Sequence, residues 1–234
     1  MPYISNRVVH DADSHTMELP NWYKEFGTKK IQDVFKKRFS KSLVGGLESL
    51  EEMPKIHKRK GYIEESEKEI MIRKNYQALG AFNSKDRSKA LDYLGVASQL
   101  VFPTSPNVWL ESLEHKDDLE FLYETASATN KAQIAFCNND KRLFPVAYVP
   151  LADREKAPIT AKEAIDLGAK ALLVPWACPK SHSTSHVDLD KVWVQAEEAR
   201  IPILFHVGVA DKVLPKSHSI NGMPKILDFH GGEE

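Results

Sequence analysis

Short apolar runs alternate with amphipathic segments along the second half of the chain. The runs that predict strands span residues 99–102, 143–149, 170–174 and 203–206. Apolar residues recur at helical spacing between them, and the helices predicted from this spacing span residues 117–136, 157–167 and 188–200. Strands that alternate with helices of this length predict βαβ units and a parallel sheet.

The first part of the chain is less regular. Residues 7–13 form an apolar run that predicts a first strand, and a long polar insert follows at about 16–87, with helical fragments at 21–26 and 65–79. We therefore count five strands by residue 207. The remaining residues cannot supply three more βα units of about 30 residues each, so we expect residues 1–234 to be the N-terminal part of a longer barrel protein.

Composition and charge exclude several classes of protein. Hydrophobic residues make up 42% and charged residues 28% of the chain, and 32 basic against 33 acidic residues give a net charge of −1. These values are typical of a globular protein and argue against a nucleic-acid or membrane-surface partner. Cys137 and Cys178 are the only cysteines, and they form no disulfide framework. With no signal-peptide pattern, we expect a cytoplasmic protein.

Two of the predicted strands end in residues that bind metal ions. Asp13 and His15 follow the first run, and residues two apart on a strand point to the same face. Asp11 also falls on that face of a regular strand, where we assign it a structural or supporting role. His206 ends the run at 203–206. Asp-x-His is a common tripeptide and a strand histidine is often part of the core, but the shared position of these residues at strand ends predicts one divalent metal site.

Further candidates follow other predicted strands. Phe102 and Thr104 follow the second strand and Trp176 follows the fourth, so all three are candidate substrate contacts, with simple packing at the sheet edge as the alternative. Glu18 could orient His15 through a hydrogen bond or could cap the next helix. The sequence leaves both alternatives open.

The loop after the fourth strand carries two histidines and a cysteine. His182 and His186 are four residues apart, but serines and a proline predict a loop there, so we expect surface or substrate-loop residues and not metal ligands. Cys178 has no base motif beside it, which argues against a nucleophilic role.

Five segments together resemble a known family. They are Asp-Ala-Asp-Ser-His-Thr-Met-Glu at 11–18 and the segments 94–104, 142–151, 167–175 and 201–208. In this order they resemble the amidohydrolase-related family of metal-dependent TIM-barrel enzymes, which includes aminocarboxymuconate-semialdehyde decarboxylase and aromatic-acid decarboxylases. The resemblance implies an α/β fold, a (β/α)8 TIM barrel, of which about five strands are encoded here.

The resemblance also implies a site and an activity. The strand-1 metal ligands correspond to Asp13 and His15, and the strand-5 ligand corresponds to His206. Asp13 stands where a histidine is commoner, which makes Mn²⁺ a rival to Zn²⁺. The family's strand-6 histidine and strand-8 aspartate have no counterpart, so we expect the catalytic acid–base residues beyond Glu234.

The expected function is that of a metal-dependent hydrolase or carboxy-lyase (a non-oxidative decarboxylase). Its substrate would be a small organic or aromatic acid, and the full-length protein is expected to be a homo-oligomer. The alternative is a catalytically inactive fragment or binding remnant of such an enzyme. The sequence does not decide between hydrolysis and decarboxylation.

Overall fold

The computed structural model describes residues 2–39 and 47–206, and residues 207–234 lie outside this part. The strands within it are β1 (His10–His15), β2 (Ser98–Phe102), β3 (Leu143–Tyr148), β4 (Ala171–Val174) and β5 (Ile203–Phe205). The helices within it are α1 (Lys29–Phe39), α2 (Leu47–Lys58), α3 (Tyr62–Lys68), α4 (Ser84–Leu94), α5 (Ser105–Glu114), α6 (Leu119–Cys137), α7 (Lys156–Leu167) and α8 (Asp190–Ala199).

The five strands follow one another in a single sheet. Their order is β1-β2-β3-β4-β5, and the registered pairs are parallel. Helices connect each strand to the next from β1 to β5. A parallel sheet whose order matches the chain order is the arrangement of a (β/α)8 barrel. The predicted fold class, a partial TIM barrel with about five strands, is confirmed.

The contacts divide the chain into two compact units, and the first consists of Met1–Ser105 and Ala128–Val146. Its core joins α4, β2, the end of α6 and the start of β3, through Leu91, Val101, Phe136 and Leu143 among others. Local signals define α4 well. Asn83 accepts a hydrogen bond from the Lys85 N–H at 3.0 Å, and Gly95 ends the helix in the left-handed conformation, at φ 77°.

The second unit consists of Pro106–Ser127 and Ala147–Glu234. All four residues of β4 are fully buried, as expected for a parallel strand covered on both faces. Helix α7 packs against α8 and ends at Gly168, whose φ of 109° is the left-handed conformation of a glycine at a helix C-terminus. None of the helices in the described part of the chain is long and apolar enough to cross a bilayer.

Several local predictions need correction. Strand β1 begins at His10 and not at residue 7, and Val8 is exposed. The strand is therefore built from polar residues whose side chains bond to β2, which an apolar pattern does not reveal. Residues 21–26 form turns and no helix, and the predicted helix at 65–79 is reduced to α3 and a single 3₁₀ turn, Asn75–Gln77. Helix α5 was not predicted.

A buried carboxyl group joins α5 to the end of β3 in the second unit. Glu114 is 2% exposed, and its Oε1 accepts hydrogen bonds from the Leu151 N–H at 3.1 Å and the Tyr148 hydroxyl at 3.3 Å. Burial, which disfavours the charged form, raises the pKa of Glu114 to about 8. At neutral pH the group is therefore mostly protonated in the folded protein and ionised in the unfolded chain.

This difference predicts a pH dependence of stability. Because the pKa is raised on folding, the free energy of unfolding falls as pH rises from the unfolded value through about 8. Between pH 6 and pH 8 the loss should be about 2 kcal/mol from this one group. Glu114→Gln should remove it, while Glu198→Gln, at an exposed position of α8, should not. Urea unfolding at both pH values measures the effect, and an equal loss in wild type and Glu114→Gln would contradict it.

Candidate metal centre

The pairing of β1 with β2 is irregular, and this irregularity determines which β1 side chains lie on each face of the sheet. Asp11 pairs with Gln99 and Ser14 pairs with Val101, so three steps along β1 match two steps along β2. One extra residue in a strand is a β-bulge, and a one-residue shift reverses the faces of the side chains. Asp11 and Ser14 therefore share one face, and Asp13 and His15 take the other. The expectation that Asp11 shares the face of Asp13 is wrong.

Three side chains surround the imidazole of His15. Its Nε2 lies 3.1 Å from Oδ1 of Asp13, its Nδ1 lies 3.1 Å from Oγ1 of Thr104, and its ring stacks on Phe102 with centroids 5.5 Å apart. The Thr104 hydroxyl donates its only hydrogen to the carbonyl of Thr16 at 2.6 Å, so towards His15 it can only accept. Nδ1 of His15 therefore carries a hydrogen, and the Asp13 carboxylate, which can only accept, is bonded by a hydrogen on Nε2 that a bound metal ion would displace.

Thr104 is itself held by a buried carboxyl group. Glu18 is fully buried, and its Oε1 accepts hydrogen bonds from the Thr16 hydroxyl at 2.6 Å and the Thr104 N–H at 2.9 Å. Its Oε2 accepts a hydrogen bond from the N–H of Ser105, the first residue of α5, at 2.9 Å. Burial raises the pKa of Glu18 to about 7. Glu18 thus binds the start of a helix far along the chain and reaches His15 through Thr104.

The third candidate ligand, His206, follows β5. It belongs to the second unit, whereas Asp13 and His15 belong to the first, and its role as a ligand stays a prediction. Two ligands bound to one ion at roughly 2.1 Å can be no more than about 4.2 Å apart, so Oδ1 of Asp13 and Nε2 of His15, 3.1 Å apart, can bind the same ion. Two imidazole nitrogens and a carboxylate oxygen suit Zn²⁺ or Mn²⁺. A candidate divalent metal site therefore exists among the described residues.

The three predicted substrate contacts lie in different surroundings. Phe102 is only 4% exposed and packs against the His15 ring, while Thr104 is half-buried and hydrogen-bonded to Thr16 and His15. Trp176 is half-buried just after β4. A substrate role for these three residues stays a prediction. The contacts of Phe102 and Thr104 favour a role in holding the His15 ring in place.

The second unit carries a polar cluster in the loops that follow β3 and β4. Nε2 of His182 lies 2.9 Å from the carbonyl oxygen of Leu151, and Nε2 of His186 lies 2.8 Å from Nη1 of Arg154. The same Nη1 lies 2.9 Å from a carboxylate oxygen of Asp188. Both histidines thus lie in a loop, as predicted. The sequence analysis missed Arg154, because nothing in the sequence indicates that it meets this loop.

Comparison with solved structures identifies the fold. No protein-family model and no curated protein sequence matches the chain. An amidohydrolase from Mycobacterium avium subsp. paratuberculosis K-10 matches with a TM-score of 0.61 and 19% identity, over 87% of this chain and 59% of its own. The 5-carboxyvanillate decarboxylase of Novosphingobium aromaticivorans DSM 12444 matches with a TM-score of 0.52 and 15% identity, over 95% of this chain and 55% of its own.

These similarities are structural and not close in sequence. The decarboxylase structure contains manganese and 4-hydroxy-3-methoxy-5-nitrobenzoic acid. This chain spans just over half the length of either protein. The predicted resemblance to amidohydrolase-related enzymes is thus confirmed at the level of the fold, and an activity for this chain has to be argued from its own residues.

The contacts of Thr104 predict an effect on metal affinity. Thr104→Val removes the acceptor that keeps the His15 proton on Nδ1, so affinity for Zn²⁺ or Mn²⁺ should fall about 10–100-fold. Thr104→Ser keeps the hydroxyl and should stay within about threefold of wild type. Isothermal titration of metal-free protein measures both. Similar affinities for the valine and serine variants would show that the hydroxyl does not orient His15.

The two carboxylates of β1, Asp11 and Asp13, should differ in their contribution to metal affinity. Asp13→Asn replaces a charged candidate ligand with a neutral amide and should weaken metal affinity by about 100-fold, whereas Asp11→Asn should cost less than about tenfold, because an amide oxygen can still accept the Asp13 N–H. Titration with Mn²⁺ and with Zn²⁺ provides the comparison. Equal losses in the two variants would leave the choice of carboxylate unsupported.

Proposed function

We propose that this chain belongs to a divalent-metal-dependent hydrolase or carboxy-lyase that acts on a small organic or aromatic acid. The observation that carries the proposal is the pair at the end of β1, where Oδ1 of Asp13 and Nε2 of His15 lie 3.1 Å apart. Asp13 and His15 end β1 and His206 follows β5. The carboxyl ends of barrel strands are where enzymes with this fold bind substrates and carry out their chemistry.

Each residue of the centre would have its own role. Asp13, His15 and His206 would hold the ion, and Thr104 would keep the Nε2 lone pair of His15 directed at it. When bound, a divalent ion supplies Lewis acidity, which serves either to activate water or to polarise a carboxylate. The ring of Phe102, stacked on His15, limits rotation of the imidazole.

Of the two reaction classes we favour the carboxy-lyase. An aspartate in the first ligand position gives an oxygen donor of the kind that Mn²⁺ prefers, and one structural neighbour is a decarboxylase with bound manganese. Together these features support an acidic substrate and a harder metal ion.

Metal content tests the centre directly. The purified wild-type chain should bind roughly one Mn²⁺ or Zn²⁺ ion, and His15→Ala or His206→Ala should reduce this to near zero. His10→Ala is the matched control, since His10 is exposed on the same strand and its Nδ1 contacts Ser98. Elemental analysis after gel filtration gives the stoichiometry. Full metal content in His15→Ala and His206→Ala would rule out this site.

Activity screening tests the reaction. The full-length protein, reconstituted with Mn²⁺ or with Zn²⁺, is incubated with hydroxylated aromatic acids and, separately, with esters, lactones and amides. Release of CO₂ from an acid supports the carboxy-lyase, and cleavage of the second group supports the hydrolase. Metal binding without turnover of either group would favour a binding protein.

A further inference from the structure

The bulge in β1 is held by a buried arginine from α4. Arg87 is 8% exposed, and its Nε donates a hydrogen bond to Oε1 of Gln99 at 2.9 Å. Its Nη1 donates to the carbonyl oxygen of His15 at 3.2 Å, and its Nη2 donates to the hydroxyl of Ser14. One guanidinium therefore binds both strands of the β1–β2 pair at the bulge.

The network continues from Gln99 to the bulged segment itself. Nε2 of Gln99 donates to Oδ2 of Asp11 at 2.9 Å, and Oδ1 of Asp11 accepts a hydrogen bond from the N–H of Asp13 at 3.0 Å. Arg87, Gln99 and Asp11 thus contact β1 on both sides of the extra residue. Every link runs between groups of the first unit.

Burial of the Arg87 guanidinium in this network costs free energy. The hydrogen bonds of Arg87 described above go to neutral acceptors, and the nearby Asp11 carboxylate is itself bonded to Gln99, so the cost of burying the guanidinium is only partly offset. Burial accordingly lowers the pKa of Arg87. The backbone also accommodates it closely: a Cβ on Gly80, whose φ is 75°, would lie 2.3 Å from the Arg87 Cα.

The bulge is what these bonds stabilise. It brings Asp11 and Ser14 to the face that contacts Gln99 and Arg87, and it leaves Asp13 and His15 on the opposite face, with Oδ1 and Nε2 3.1 Å apart. In a regular strand Asp11 would share the face of Asp13 and His15. The two candidate ligands would then compete with a second carboxylate for the same ion.

We infer that Arg87 is a positioning residue for the metal centre, which acts through the bulge and the backbone carbonyl of His15. The inference rests on the proposed function, because it assumes that Asp13 and His15 bind an ion. Arg87 binds the backbone carbonyl of His15 and the neighbouring Ser14, while Gln99 and Asp11 fix the backbone of Asp13. Loss of Arg87 should therefore change ligand geometry and not only stability.

The test compares two arginines of the first unit. Arg87→Met removes the network, whereas Arg142→Met removes an arginine whose side chain bonds to Asp140, Asp92 and the carbonyl oxygen of Ser88, all outside β1. Zn²⁺ affinity is measured by competition with a chelator, the visible spectrum of the Co²⁺-loaded protein reports ligand geometry, and thermal unfolding reports stability. Gln99→Leu, which cuts the link to Asp11 and retains Arg87, is the second variant in case Arg87→Met does not fold.

The expected result is a loss of Zn²⁺ affinity of about 10–100-fold in Arg87→Met or Gln99→Leu, with an altered Co²⁺ spectrum. Arg142→Met should bind Zn²⁺ within about twofold of wild type and should have the wild-type Co²⁺ spectrum. This should hold even if its melting temperature falls as much as that of Arg87→Met. Wild-type affinity and spectrum in folded Arg87→Met or Gln99→Leu would overturn the positioning role. A wild-type chain that binds Zn²⁺ no better than His15→Ala would overturn the metal centre itself, and the positioning role with it.

Discussion

The bulge in β1 is the feature on which the candidate site depends. A strand presents alternate residues to opposite faces, so one extra residue between Asp11 and Ser14 puts both of these side chains on the face of Gln99 and leaves Asp13 and His15 on the other. With the bulge, the face that carries Asp13 and His15 holds one carboxylate and one imidazole in contact. This pair, at 3.1 Å, is the best-defined part of the proposed metal centre.

Buried polar groups hold this geometry from two sides. Arg87 binds the backbone of β1 from α4, and Glu18 binds Thr104 and the start of α5. Both are nearly inaccessible to water, where hydrogen bonds are strong and an unsatisfied group is costly. His15 lies between them. Arg87 binds its backbone carbonyl, and Thr104 contacts Nδ1 of its imidazole ring. The candidate ligand is thus fixed in both backbone and ring orientation.

The fold was largely predictable from sequence, and the reason is local. Strands β2 to β5 and helices α6 to α8 carry apolar periodicities, and Gly95 and Gly168 mark helix ends where the structure has them. Helix α5 escaped prediction because its first N–H is bound by Glu18, 87 residues earlier in the chain. No local pattern reveals such a partner.

The site was predictable in part. Asp13, His15 and His206 were proposed from their positions at strand ends; the structure places Oδ1 of Asp13 3.1 Å from Nε2 of His15, and the ligand role of all three residues stays a prediction. The bulge was not predictable, because it depends on Gln99 and Arg87, which lie in elements remote in sequence. The prediction of the face on which Asp11 lies was wrong for the same reason. A strand's alternation can be inferred from its own residues, but an interruption depends on its partners.

The central claim is that Asp13, His15 and His206 share one divalent ion. X-ray absorption spectroscopy of the Zn²⁺-loaded chain tests it most directly, because imidazole rings give a recognisable multiple-scattering signal. The account predicts two imidazole nitrogens and at least one oxygen at roughly 2.0–2.2 Å, with one imidazole lost in His15→Ala and one in His206→Ala. A first shell of water oxygens without imidazole, or one unchanged in both variants, would contradict it.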